Sequence, residues 1–139
     1  MTKSHPLISA QAIVFNEWGK LILEDNKKIG KWSFIGWAFD INKWDREVID
    51  TVIREIKEET TLVIDYTRLI CPYIQPVTRF WTWLWKSTYF LLKLTYNESE
   101  KILSLPWFNA FETYPDNNFP ISEKRFKAQV DRGRKYFNF

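Results

Sequence analysis

Three glutamates and one arginine carry most of the chemistry this chain can offer. Glu55, Glu58 and Glu59 stand three and four residues apart in the run REIKEET, with Arg54 directly before them. On a helix that spacing stacks the carboxylates along one face. Like charges placed so repel one another by a few tenths of a kcal/mol per pair. A hard divalent cation removes that cost, because Mg²⁺ prefers carboxylate oxygen and takes one or two such ligands beside substrate phosphates. Arg54 can pair with a neighbouring carboxylate and hold its orientation. The bare spacing also fits a solvated helix face laced with ion pairs, helped by Lys57. Both readings stand at this point.

The element that must position these side chains is a helix predicted over residues 45–60, a stretch without Gly or Pro. At about 100° per residue, Ile49, Val52, Ile53 and Ile56 share one arc, while Glu47, Arg54, Glu55, Glu58 and Glu59 share another, centred roughly opposite. Before the helix, strands are predicted at 9–15 and 20–24 around a turn at 16–19, then an extended stretch at 32–35. Residues 36–44 form a loop rich in aromatic residues. After the helix come one or two strands across 62–74. Two more fall across 77–95, broken near Lys86-Ser87, the second over 88–94. A polar turn at 97–101, a strand at 102–108, a helical turn at 109–113 and a loop at 115–119 follow. Ser122 then caps a last helix that spaces Phe126 and Val130 four apart and carries Gly133 near its end. The order strands, helix, strands, helix predicts an α+β fold, a mixed sheet held between helices in one domain over 1–139.

Composition narrows the function classes. Among 139 residues there is a single cysteine, Cys71, and a single histidine, His5. An internal disulfide is therefore out of the question, a reducing compartment is expected, and His/Cys zinc sites and His-based triads are excluded. The chain has no run of about 18 apolar residues and no signal-peptide pattern, so the expectation is a cytoplasmic protein without a membrane association. Net charge is +3, with Lys124, Arg125, Lys127, Arg132, Arg134 and Lys135 dense toward the end. That balance is too weak for a dedicated nucleic-acid binder and reads as a solvated helix face. Aromatic residues make up 18%, with 8 Trp, more than one small core readily hides. Some of them should line a pocket or meet a partner. Trp81, Trp83 and Trp85 alternate and would share one face of a strand, either as a stacking wall or as a sheet face covered by a helix.

The run Arg54-Glu55-Ile56-Lys57-Glu58-Glu59-Thr60-Thr61-Leu62 resembles the second half of the Nudix box, G-x5-E-x7-R-E-U-x-E-E-x-G-U with U aliphatic; only the Gly is missing, where Thr61 stands. The two N-terminal strands, the entry Lys31-Trp32-Ser33-Phe34-Ile35-Gly36 and the later Leu105-Pro106-Trp107-Phe108 are similar to Nudix proteins as well. The first half of the box departs from the pattern. Counting back from Arg54, its Glu falls on Arg46 and its Gly on Asp40. If Gly36-Trp37 is taken as the family's Gly-Gly, about three residues are inserted, and Glu47 stands one position from the expected Glu as a substitute. Ile35 replaces the usual Pro and Trp37 the second Gly, a place where Gly serves positive φ and close backbone approach.

The resemblance implies Mg²⁺ (or Mn²⁺) held by Glu58 and Glu59. It makes Glu55 general base or further ligand, oriented by Arg54, with a carbonyl of Gly36 or Trp37 and a carboxylate of Glu98 or Glu100 as additional ligands. It implies pyrophosphohydrolysis of a small nucleotide-type substrate, a nucleoside diphosphate linked to another group or a nucleoside triphosphate. Gly36, Trp37, Phe39 and Trp44 would lie in the substrate loop. The altered loop supports a second reading, a diverged or redesigned Nudix scaffold that binds an aromatic ligand or self-associates, for instance as a homodimer.

Overall fold

The structure, a computed structural model, describes residues 7–27, 30–71, 78–80, 83–113 and 123–139. It is an α+β architecture. Its strands are β1 (Leu7–Phe15), β2 (Leu21–Asn26), β3 (Lys31–Ser33), β4 (Ile35–Ala38), β5 (Thr78–Phe80), β6 (Trp83–Lys93) and β7 (Phe108–Phe111). Its helices are α1 (Val48–Thr60), α2 (Tyr96–Leu103) and α3 (Glu123–Tyr136). The chain forms two compact units, one from the residues up to Ala12 with Gly36–Phe90, the other from Ile13–Ile35 with Leu91–Phe139. Strands β1 and β6 run through both.

In the second unit β2 is the hub. Leu21, Ile22 and Leu23 are fully buried. β2 pairs antiparallel with β1 (Val14 opposite Ile22), with β3 (Asp25 opposite Trp32) and with β7 (Leu23 opposite Asn109). The Leu94 N–H donates to the Phe15 carbonyl at 2.8 Å and ties the end of β6 beside β1. Helix α3 runs through Gly133, where a Cβ would stand 2.5 Å from the Phe15 ring. That ring is also met by Phe137 and Phe139, with centroids 6.1 and 5.8 Å away.

The first unit holds α1 and the start of β1. β4 lies against that start, the Phe39 N–H donating to the Ile8 carbonyl at 2.9 Å. Gly36 has φ +121°, and a Cβ there would collide with the Ala10 carbonyl oxygen, so both the dihedral and the approach demand glycine. Helix α1 buries Val52 and Ile56, as its 3.6-residue period predicts, while of its three neighbouring glutamates only Glu58 is exposed and Glu55 and Glu59 are partly covered. β5 and β6 pair antiparallel with Thr78 opposite Trp85.

Several expected elements differ. Helix α1 starts at Val48 rather than near 45, with Glu47 as an extended N-cap. Of the loop expected at 36–44, Gly36 to Ala38 belong to β4, and Ile41–Lys43 form a 3₁₀ turn. The apolar run from 62 shows no strand through 71. Leu62, Ile64 and Leu69 are buried one by one, while Asp65 caps the 3₁₀ turn Tyr66–Arg68 through its bond to the Thr67 N–H at 2.9 Å. Lys86-Ser87 lies inside β6. Residues 97–101, expected as a turn, lie in α2. There Thr95 and Glu98 form a reciprocal capping box, Glu98 accepting the Thr95 N–H at 2.9 Å and Thr95 Oγ1 the Glu98 N–H at 3.3 Å. Of the strand expected at 102–108, Ile102 and Leu103 end that helix, residues 104–107 turn, and Phe108 opens β7; the helical turn expected at 109–113 is largely β7, paired on β2. Residues 115–119, Ser122, Trp81 and the side chains of Trp83, Trp85 and Phe126 lie outside the described residues.

Candidate functional site

The acidic face of α1 is organised by one guanidinium. Arg54 lays Nε and Nη2 on the two carboxylate oxygens of Asp45, at 3.0 and 2.8 Å. Nη2 also donates to the Ala38 carbonyl at 3.3 Å. Nη1 points to the other side, to Glu55 Oε1 at 3.2 Å and to the Glu58 carboxylate at 3.4 and 3.5 Å. A fork-to-fork pair fixes the plane of the guanidinium as well as its place. One rigid cation thus holds Asp45 behind it and gathers Glu55 and Glu58 in front.

Asp45 itself is locked. It is 2% exposed, accepts the Thr51 hydroxyl at 2.9 Å and the Asp40 N–H at 3.0 Å, and Thr51 is fully buried. Burial alone would raise its pKa. The bond from Arg54, then those from the Asp40 N–H and Thr51, outweigh burial and hold the carboxyl below the usual carboxylate range. The same contact with Asp45 pushes the Arg54 pKa up, so both partners stay charged.

Asp45 is the residue that reasoning from spacing misses. On a continuous helix from 45 it would lie about 180° round from Arg54, whereas Glu47 would lie within about 20° of it. The chain instead stays extended up to the N-cap, Glu47 having φ −128° and ψ 160°. Asp45 therefore folds back under Arg54, while Glu47 remains exposed. The N–H groups of Arg46 and Glu47 both donate to the Asp50 carboxylate, at 3.0 and 2.9 Å, which fixes the start of the helix one turn later than its composition suggests. An Asp just ahead of a helix, with Thr and Arg one and two turns inside it, is the signal that could have exposed the arrangement.

The other site residues fall as follows. Glu55 is largely buried, its side chain 16% exposed, and Glu58 reaches solvent at 46%. Glu59 is half-buried, with Oε2 out of reach of water. Gly36 and Trp37 lie in β4; Gly36 takes the positive φ, and Trp37, half-exposed, needs none. Phe39 is half-buried. Trp44 is 85% exposed and left-handed, with φ +71°. Thr61 is left-handed too, with φ +65°, and ends α1 by donating its N–H to the Lys57 carbonyl at 2.9 Å. Glu98 is used in the α2 capping box, and Glu100 accepts the Tyr96 hydroxyl at 2.9 Å.

Among the described residues no three His, Cys, Asp or Glu side chains converge as a metal cage. The donor set still suits Mg²⁺, which asks for one or two carboxylates and completes its shell with water and substrate phosphate. Glu55 and Glu58 already share a single cationic nitrogen, and the guanidinium balances only one of the three carboxylates around it. The cluster keeps net negative charge.

No protein-family model and no curated protein sequence matches the chain. Solved structures do. The C. elegans Ap4A hydrolase superposes with a TM-score of 0.59 at 13% identity, over 97% of this chain and 100% of that one. The Nudix domain of Shewanella oneidensis NrtR, solved with ADP ribose, gives 0.57 at 16% identity, over 97% and 90%. A MutT/Nudix family protein from Enterococcus faecalis gives 0.51 at 18% identity, over 68% of this chain and 39% of that one. The fold is therefore Nudix-like. Among the described residues no helix is long and apolar enough to cross a membrane.

Proposed function

We propose that this chain is a Nudix-type pyrophosphohydrolase that splits a nucleoside diphosphate linked to another group, or a nucleoside triphosphate. The observation that carries this reading is the Arg54 hub, which holds Glu55 and Glu58 together on one helix face while Asp45 anchors it from behind. Glu58 and Glu59 would hold Mg²⁺, with Mn²⁺ as a substitute, and Glu55 would act as general base or further ligand. When bound, the metal supplies a more acidic water and neutralises charge on the diphosphate. Arg54 keeps the Glu55 carboxylate in one orientation. The neighbours named for Ap4A hydrolysis and for ADP ribose binding support a nucleotide-type substrate.

The test is phosphate release from nucleotide-sugar, dinucleoside and nucleoside triphosphate substrates with Mg²⁺. Turnover should appear on at least one of them and fall by about 10²-fold or more in Glu58→Gln/Glu59→Gln. No turnover on any, or turnover untouched by the double substitution, removes the reading.

A second reading has its own support: Trp37, Ile41 and Trp44 are exposed on the segment that replaces the glycine-rich loop. On this reading the scaffold binds an aromatic ligand or a second copy without turnover. Ligand affinity that is independent of Mg²⁺, with no hydrolysis, would establish it.

A further inference from the structure

Asp45 stands ahead of α1, yet it decides on which side the charge of Arg54 is held. The guanidinium makes unequal bonds in two directions. Toward the turn, Nε and Nη2 meet the Asp45 carboxylate at 3.0 and 2.8 Å. The Ala38 carbonyl draws Nη2 the same way, at 3.3 Å. Toward the acidic face, Nη1 reaches Glu55 at 3.2 Å and Glu58 only at 3.4 and 3.5 Å. The short bonds lie where Asp45 is 2% exposed and opposite charges attract most strongly. The long ones end on a carboxylate that is 46% exposed, where an ion pair is weak. Asp45 cannot follow the cation outward, because the Thr51 hydroxyl and the Asp40 N–H fix it at 2.9 and 3.0 Å. With a neutral residue at 45, the carboxylates that remain bonded to Arg54 are those of Glu55 and Glu58.

We propose that Asp45 is a positioning residue for the divalent cation: by holding Arg54 back, it keeps the guanidinium from neutralising Glu58. This role presupposes the assignment of Mg²⁺ to Glu58 and Glu59 proposed above. A guanidinium and a divalent cation seek the same carboxylate oxygens, so a positive charge released toward Glu58 weakens the hold on the metal. Groups one bond behind a metal's ligands commonly set its affinity to within 10- to 100-fold. Two consequences separate this role from plain support of the fold. It depends on the charge at 45 more than on shape, and it vanishes when Arg54 is neutral.

The test reads metal binding without turnover. Mn²⁺ is titrated into the whole chain and the free ion is followed by electron paramagnetic resonance, with circular dichroism confirming that each variant is folded. The wild-type chain should bind Mn²⁺ saturably, and Glu58→Gln/Glu59→Gln should abolish that binding. Asp45→Asn, close in shape but neutral, should bind about 10- to 100-fold more weakly. Asp45→Ser, neutral and small enough to admit water beside Arg54, should lose as much and serves where the Asn variant does not fold. Asp45→Glu, wrong in length but charged, should stay within about threefold of wild type. In the Arg54→Gln background, Asp45→Asn should change the affinity by less than about twofold. A neutral residue at 45 that leaves Mn²⁺ affinity at the wild-type level overturns the proposal. So does an Asp45→Glu chain as weak as Asp45→Asn, or an Asp45→Asn loss that persists without Arg54. Absence of saturable Mn²⁺ binding, or binding untouched by Glu58→Gln/Glu59→Gln, overturns it together with the metal assignment. The expected pattern in a chain that hydrolyses no nucleotide supports the role of Asp45 and removes only the hydrolytic reading. Hydrolysis in a chain whose Asp45→Asn variant binds Mn²⁺ as wild type does the reverse.

Discussion

Arg54 and Asp45 are nine residues apart, yet their side chains meet as a two-bond fork, Nε to Oδ1 at 3.0 Å and Nη2 to Oδ2 at 2.8 Å. The pair joins α1 to the turn before it. Both side chains are largely withdrawn from water, at 14% and 2% exposure. Removing one partner would leave the other buried and charged, which is where ion pairs matter most.

Asp45→Asn should therefore destabilise the fold by about 3 kcal/mol at neutral pH. The double variant Asp45→Asn/Arg54→Gln should lose less than the sum of the single losses, because the second substitution removes the orphaned charge. Urea unfolding of the four proteins measures the coupling. Additive losses would mean that the fork contributes nothing beyond its separate halves.

The pH dependence follows from the sign of the Asp45 shift. Its carboxyl is held below the ordinary carboxylate value of about 3.9, so its contribution is complete above that value and fades as pH falls through the lower folded one. The stability gap between wild type and Asp45→Asn should stay constant from about pH 5 to 8 and narrow below about pH 4. A gap that grows toward acid would contradict the assignment.

Glu47 and Asp45 make a direct comparison. Glu47 is an exposed N-cap, so Glu47→Gln should change turnover less than about twofold and stability by no more than about 0.5 kcal/mol. A loss in Glu47→Gln as large as in Glu58→Gln would return Glu47 to the site.

Thr61 ends α1 in a left-handed conformation with its side chain exposed. Thr61→Gly relieves a β-branched residue of a disfavoured φ and should stabilise the protein by about 1 kcal/mol, raising the thermal midpoint by about 4 °C. Calorimetry decides it, and an unchanged or lower midpoint would show that Thr61 is not strained.

Gly36 is the reverse case. With φ +121° and the Ala10 carbonyl where a Cβ would go, Gly36→Ala should cost about 3 kcal/mol or more, read by the same urea unfolding. A loss below about 1 kcal/mol would mean that β4 shifts to make room.

Local pattern settled a good part of this molecule. The spacing of Val52 and Ile56 marks the buried side of α1, and REIKEE marks its acidic side, because a 3.6-residue period is written in the residues themselves. The apolar runs and the turn residues 16–19 likewise mark the β1–β2 hairpin, while the Asn16 side chain that accepts the Trp18 and Lys20 N–H groups shows only in the structure. The apolar run after 60 and the polar run 97–101 depart from what their composition predicts for one reason: capping bonds made by Asp65, Thr95 and Glu98 set the local structure. The partner of Arg54 was hidden more deeply. Whether Asp45 or Glu47 faces that guanidinium depends on where the helix begins, and the Asp50 carboxylate decides that by holding two N–H groups just before it. Likewise, Gly36 needs no side chain only because β4 lies against the Ala10 carbonyl. Periodicity is a property of neighbours in sequence; the fork exists only once the start of α1 is set, and the close approach of Gly36 to Ala10 only once distant parts of the chain have been brought together.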